Sequence, residues 1–337
     1  MKALVYTGPE KLVYRGVPDP DPKADEVLIR VACTGICGSD MHAYLGHDER
    51  RPAPLILGHE VAGTVASGPT SGRRVTVNPL VTCGTCPACK SGRDNLCPDR
   101  QIISMQPREG GFADFLAMPE QNLVSVPGHI TDQQAALAEP IACGWHAVRL
   151  AKRVLGEGND NPAALVIGGG AIGVGAALSL KAQGISDIRV IELNTERAAL
   201  LRSRCGFDVL QVTDPEDAGQ FDIVIDAVGF AATRTMASKV ARPGGVIAHI
   251  GLGSAEGGLD IRRMTLQEIT FLGTYTYTAQ DFRDTAEAMF DGRLGPLDWT
   301  EVRTLSEGAE AFAGLRSGSI AAPKILLKPD TTGDVHV

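Results

Sequence analysis

The sequence has no excess of basic charge: 32 Lys and Arg residues stand against 40 Asp and Glu, a formal net charge of −8. A nucleic-acid partner normally requires a basic stripe to neutralise phosphates, so the balance disfavours one. The first residues, Met1 to Tyr14, lack the apolar core and cleavage site of a secretory leader, and a cytoplasmic location is expected. No internal repeat and no low-complexity tract is present. Long apolar runs are also missing, with one exception. Ala163 to Leu180 carries no charge over 18 residues, but it holds five glycines, three of them consecutive, and Pro162 borders it. That composition fits a buried strand, turn and helix better than a membrane span, so no membrane association is expected.

The chain has 337 residues, 44% of them hydrophobic and 21% charged, enough for two domains with proper cores. The first 140 or so read as β-rich, with alternating runs at Glu26–Ala32, Val61–Ala66 and Arg74–Asn78 between Gly and Pro punctuation. From about Asn161, apolar runs alternate with helix-period segments: Ala163–Ile167, Asp187–Ile191, Phe221–Ala227, Gly245–Ile250 and Ile269–Tyr275. The alternation predicts an α/β fold, a doubly wound parallel sheet with helices on both faces. Helical segments at Ala279–Phe290 and Ser306–Leu315, a closing strand at Lys324–Leu327 and a loose tail, Lys328–Val337, complete the chain.

Eight cysteines without an export signal suggest reduced thiols, and metal ligation rather than disulfides. Cys83, Cys86, Cys89 and Cys97 follow a C-x2-C-x2-C-x7-C spacing. Four thiolates close a tetrahedral zinc shell and leave no room for substrate, which makes the site structural; an iron–sulfur cluster is the alternative on spacing alone. Separate segments supply Cys37, His59 with Glu60, and Glu139. Thiolate, imidazole and carboxylate together are the ligands of a catalytic zinc with an open position. Gly168, Gly170 and Gly173, with Ala171 and Ile172 between, form G-x-G-x-x-G after a predicted strand and before a helical run, Val174–Gln183. The pattern suits a dinucleotide pyrophosphate at a helix N-terminus. Glu192 lies 24 residues beyond Gly168 at the end of the next strand. A carboxylate there accepts from ribose hydroxyls and repels a 2′-phosphate, which predicts NAD over NADP; Arg197 nearby could soften that preference.

In the order of these segments, Cys-Gly-Ser-Asp at 37–40, Gly-His-Glu at 58–60, the cysteine cluster, Ala-Glu-Pro at 138–140 and the glycine loop, the chain resembles the zinc-containing medium-chain dehydrogenase/reductase family, in its sorbitol (polyol) dehydrogenase branch. The resemblance covers nearly the whole chain. It implies a β-rich GroES-like catalytic domain, residues 1–140 and 277–337, and a Rossmann NAD-binding domain, residues 141–276. It implies two zinc ions per chain: one structural, and one catalytic on Cys37, His59 and Glu139, with Glu60 a supporting or exchanging ligand. By the same resemblance Asp40 holds the free ring N–H of His59, Ser39 touches the substrate oxygen, His42 relays the proton outward, and Tyr277 touches substrate. Thr276 stands where the branch carries arginine, and Ala43 where tyrosine is common. Loss of a guanidinium grip on vicinal hydroxyls implies a polyol that is shorter, deoxy, or held differently. The implied activity is oxidation of a small polyol or sugar alcohol by hydride transfer to NAD, in a homodimer or homotetramer. A threonine- or butanediol-type dehydrogenase is the alternative, and a non-catalytic dinucleotide-binding protein a remote one.

Overall fold

The computed structural model describes residues 1–156, 158 and 160–330; the tail expected beyond residue 330 lies outside them. The chain divides into two compact units, Met1–Glu139 with Thr300–Val337, and Pro140–Trp299.

The first unit is built on a seven-stranded sheet. Along its path the strands are Leu123–Ser125, Arg74–Val77, Glu60–Val65, Glu26–Gly35, Lys324–Lys328 and Thr300–Thr304, and Phe115–Pro119 also pairs with Glu26–Gly35. The strand Glu26–Gly35 organises the sheet. Its alternation sends Val27, Ile29 and Val31 into a core with Val61, Val65, Val75, Leu116 and Met118, and buries Cys33 beyond them. The register against Glu60–Val65 slips between Val31 and Cys33, a bulge, after which Gly35 pairs with Glu60. A second sheet joins Lys11–Gly16, Lys2–Gly8 and Leu55–Ile56.

The second unit carries a six-stranded sheet whose paired strands all run parallel. In spatial order they are Asp208–Leu210, Ile188–Ile191, Ala164–Ile167, Phe221–Asp226, Ala241–His249 and Thr270–Gly273. Numbered along the chain this is 3-2-1-4-5-6, the doubly wound order, with its reversal beside Ala164–Ile167. Ala164, Leu165 and Val166 are wholly buried, as a strand covered on both faces must be. The uncharged stretch resolves into that strand and the helix Ala171–Ala182, and among the described residues no helix is long and apolar enough to cross a membrane. Small residues let this helix approach the helix Ala138–Leu155 closely: a Cβ on Gly144 would lie 2.5 Å from the Ala176 nitrogen.

The second unit runs on to Trp299, past the boundary at 276 read from the sequence. The cause is an anchor on the helix Ala279–Phe290. Asp281, from its first turn, accepts from His146 Nδ1 at 2.7 Å and from Arg149 Nε at 2.6 Å, both on the helix Ala138–Leu155. Thr278 Oγ1 donates to the same carboxylate at 2.7 Å. Burial works against the charge of Asp281, but the hydrogen bonds from His146, Arg149 and Thr278 outweigh it and hold the carboxyl well below the usual range.

Removing one member of a buried pair strands the others, so Asp281→Ala should cost roughly 3–5 kcal/mol. Both tryptophans, Trp145 and Trp299, lie in this unit, and their fluorescence during urea unfolding reads the loss directly. Because the folded pKa is depressed, the contribution is present above the unfolded value, about 3.9, and is lost as the pH falls from there. The wild type should therefore converge on the variant in acid.

Candidate metal centres and cofactor site

The four-cysteine cluster forms over a short span. Cys86 caps the turn Pro87–Lys90, and its sulfur accepts from the Cys89 amide at 3.5 Å. The Cys86 amide donates to the Cys83 sulfur at 3.4 Å. The sulfurs of Cys83, Cys86, Cys89 and Cys97 all lie within 4.8 Å of one another, Cys83 and Cys89 at 4.0 Å and Cys97 and Cys83 at 3.5 Å. Tetrahedral zinc with bonds of about 2.3 Å sets sulfurs about 3.8 Å apart, so the spacing fits that ion. Backbone N–H groups of Thr85 and Cys86 pull the Cys83 thiol down to about 6, toward the thiolate a metal needs.

The open site arises from the register of the central sheet. Gly35 pairs with Glu60, so the ends of two neighbouring strands deliver Cys37 and the pair His59–Glu60 to one place. Donor atoms of Cys37, His59 and Glu60 lie within 4.8 Å of one another. Asp40 is fully buried and serves several groups at once. Its carboxylate accepts from the Cys37 amide at 3.0 Å and the Gly58 amide at 3.2 Å, and lies 3.5 Å from His59 Nδ1. Ser104 Oγ is 3.3 Å from the same ring nitrogen, which leaves Nε2 of His59 for a metal. Burial disfavours a charged His59, yet the Asp40 and Cys37 charges beside it win and raise its pKa well above the ordinary value. The pocket thus favours positive charge at this point, and a divalent ion supplies it while displacing the proton.

Glu60 fits a metal by a second criterion. Its Oε1 accepts from Lys324 Nζ at 2.6 Å, while its buried Oε2 has no hydrogen-bond partner. Glu139 is buried in the first turn of the helix Ala138–Leu155, and its carboxylate is outside the converging set among the described residues. Ser39 and His42 lie three residues apart on the helix Gly38–Tyr44, on one face, with Ser39 half-buried and His42 exposed.

In the second unit, Gly168 has a φ of +99°, open to glycine at little cost, and a Cβ on Gly173 would lie 1.7 Å from the Gly168 carbonyl oxygen. Gly170 caps the helix Ala171–Ala182, so Ala171 and Ile172 present their amides in its first turn; a Cβ on Gly170 would meet open space. Glu192 accepts from the Gly169 amide at 3.1 Å and the Asn194 amide at 2.7 Å, and Arg197 Nη1 lies 3.4 Å from it. Arg197 is therefore engaged with the Glu192 carboxylate. Tyr277 is buried against Phe282, with ring centroids 5.7 Å apart. Beside it, Thr276 has a φ of +45° and a buried hydroxyl with no hydrogen-bond partner, an uncommon combination for a β-branched residue.

Sequence reasoning missed Ser104, Arg51 and Lys324. Arg51 is buried, pairs with Asp48 at 2.6 Å and donates to the Ser104 carbonyl at 2.9 Å, so it braces the residue that supports His59. Nothing in the local sequence marks Ser104 or Arg51. Lys324 left a signal, a charge opening a strand, Lys324–Lys328, whose next three residues are apolar.

Residues 23–128 match the alcohol dehydrogenase GroES-like domain and residues 171–291 match the zinc-binding dehydrogenase domain. The chain is 33% identical over 309 residues to the L-galactonate-5-dehydrogenase of Escherichia coli, covering 87% of this chain and 88% of that one. It is 32% identical to the sorbitol dehydrogenase of Bacillus subtilis, over 82% of each. Among solved structures, the acetophenone reductase of Geotrichum candidum in complex with NAD superposes with a TM-score of 0.86 at 28% identity, covering 97% of this chain and 96% of that one. The chain belongs to the zinc-containing medium-chain dehydrogenase/reductase family. Its relatives place it with the sorbitol (polyol) dehydrogenase branch of that family.

Two metal ions per chain are expected by elemental analysis. Cys86→Ser should leave one, since three sulfurs no longer close the shell.

Proposed function

We propose that this protein is a zinc-dependent, NAD-linked dehydrogenase that oxidises a secondary alcohol of a small polyol or sugar alcohol. The observation that carries the reading is the convergence of Cys37 with His59 and Glu60, donors from two separate segments, at a site with an uncommitted carboxylate oxygen. When bound, zinc supplies Lewis acidity that lets an alcohol lose its proton near neutral pH, and NAD accepts the hydride.

The protein's own groups do the rest. Cys37, His59 and Glu60 hold the ion, and Glu139, whose charge bears on Lys324 beside Glu60, is the second candidate carboxylate. Asp40 and Ser104 fix the His59 ring so that one nitrogen faces the ion. Ser39 receives the substrate hydroxyl, and His42, exposed on the same helix face, passes the released proton toward water. The glycine loop and the helix Ala171–Ala182 hold the pyrophosphate, and Glu192 holds the adenosine ribose. Thr276 stands where the polyol branch carries arginine, and a neutral residue there suits a shorter or deoxy polyol. The reading carries with it a cytoplasmic homodimer or homotetramer, joined through the edge strand Thr270–Gly273.

NAD reduction against a panel of polyols, sugar alcohols, hydroxy-amino acids and diols tests the substrate class. A vicinal polyol is expected to give the highest kcat/KM; a preference for threonine or butanediol would move the reading to the alternative type. Complete zinc removal should abolish turnover, and full activity in metal-free protein would overturn the mechanism.

The cofactor preference is separately testable. Glu192→Ala should lower kcat/KM for NAD by roughly 10–100-fold, the worth of a hydrogen bond to a charged group, and should raise the use of NADP relative to NAD. An unchanged ratio would remove Glu192 from the ribose site.

A further inference from the structure

One buried cation of the first unit has no place in the scheme above. Lys324 opens the strand Lys324–Lys328, and its side chain is 3% exposed. Its Nζ donates to Glu60 Oε1 at 2.6 Å and to the Ile36 carbonyl at 2.8 Å. The lysine therefore touches one ligand and the residue before another. A buried ammonium is costly to desolvate, and here that cost falls beside the metal site.

The other oxygen of the carboxylate completes the picture. Glu60 Oε2 is buried and has no hydrogen-bond partner among the described residues, a state that an added cation would relieve. It is packed against Gly35, where a Cβ would lie 1.8 Å away. The carboxylate is thus gripped at Oε1 and walled by the Gly35 backbone.

We infer that Lys324 is a positioning residue for the open metal site, holding Glu60 by Oε1 so that only Oε2 is offered to the ion and Glu60 stays a displaceable ligand. The inference rests on the reading of Cys37, His59 and Glu60 as a metal site. Lys324 competes with the ion for one carboxylate. Without it, Glu60 keeps both oxygens for the metal, and the repulsion between ammonium and divalent ion disappears. Loss of Lys324 should tighten metal binding and stiffen the coordination, the opposite of what loss of a simple structural contact would do.

The test uses the full chain, stripped of metal and titrated with Co(II) and with Zn(II) against a competing chelator. Cys37→Ser supplies the background from the four-cysteine site. In Lys324→Met and Lys324→Gln the open-site metal should be held on the order of tenfold more tightly, the scale on which outer partners tune a site. The visible Co(II) bands should shift as the coordination changes, and Lys324→Arg should restore the wild-type spectrum and affinity. Metal should also raise Tm more in Lys324→Met than in the wild type, because the metal-free variant carries an unpaired buried carboxylate. If Lys324→Met fails to fold, Lys324→Gln, which keeps a donor for the Ile36 carbonyl, carries the comparison. Affinity and Co(II) bands unchanged or affinity weakened in the variants that fold would overturn the inference while leaving the metal site intact. A wild type that binds no more metal than Cys37→Ser would overturn the site itself, and this inference with it.

Discussion

The antiparallel pairing of Gly35 with Glu60 governs the open site, because it brings Cys37 together with His59 and Glu60 from a distant segment. Two strands of ordinary β-sequence end side by side after a bulge, and each hands over its ligand within two residues of the pairing. Hydrogen bonds of the sheet hold that geometry, so no ligand depends on a free loop to find its partner. A one-residue slip in this register would turn Glu60 to the other face of the sheet, dismantling the site and carrying Val61 and Val65 out of the core with it. Asp40 then finishes what the register begins. One carboxylate joins the Cys37 amide, the Gly58 amide and the His59 ring, so the two loops that carry the ligands share a single buried anchor.

The two metal centres show the difference between local and non-local construction. The four cysteines lie within 15 residues of chain, and a capped turn gathers their sulfurs with little help from the rest of the fold. The open centre draws on the strand Lys324–Lys328, 264 residues from Glu60, as well as on Ser104 and Arg51. Such a centre costs more order to assemble, and a dense set of buried charges and hydrogen bonds holds it: Asp40 with His59, Arg51 with Asp48, Lys324 with Glu60.

This contrast explains which parts were legible in the amino-acid sequence. The parallel sheet could be read because each apolar run was short and followed by a helical period, and Phe221–Ala227 and Ala279–Phe290 fall within a residue of the observed elements. The glycine loop could be read for the same reason, since turn and helix are set by neighbours in the chain. The choice between Glu60 and Glu139 as the converging carboxylate could not, because it depends on a strand register that pattern does not encode. Nor could the end of the second unit: His146 and Asp281 are 135 residues apart, and the contacts of Asp281 with His146 and Arg149 tie the helix Ala279–Phe290 into that body.

Glu192 has a consequence beyond cofactor choice. The carboxylate that would read the sugar also receives the amide of Gly169, the residue in the middle of the triple-glycine turn, and so acts as a tether on that turn. Discrimination and preorganisation are thus vested in one side chain. A redesign that swaps this acid to admit a different nucleotide would at the same time slacken the loop that cradles its phosphates. Altered preference there should come with looser binding overall unless a second group takes over the tether.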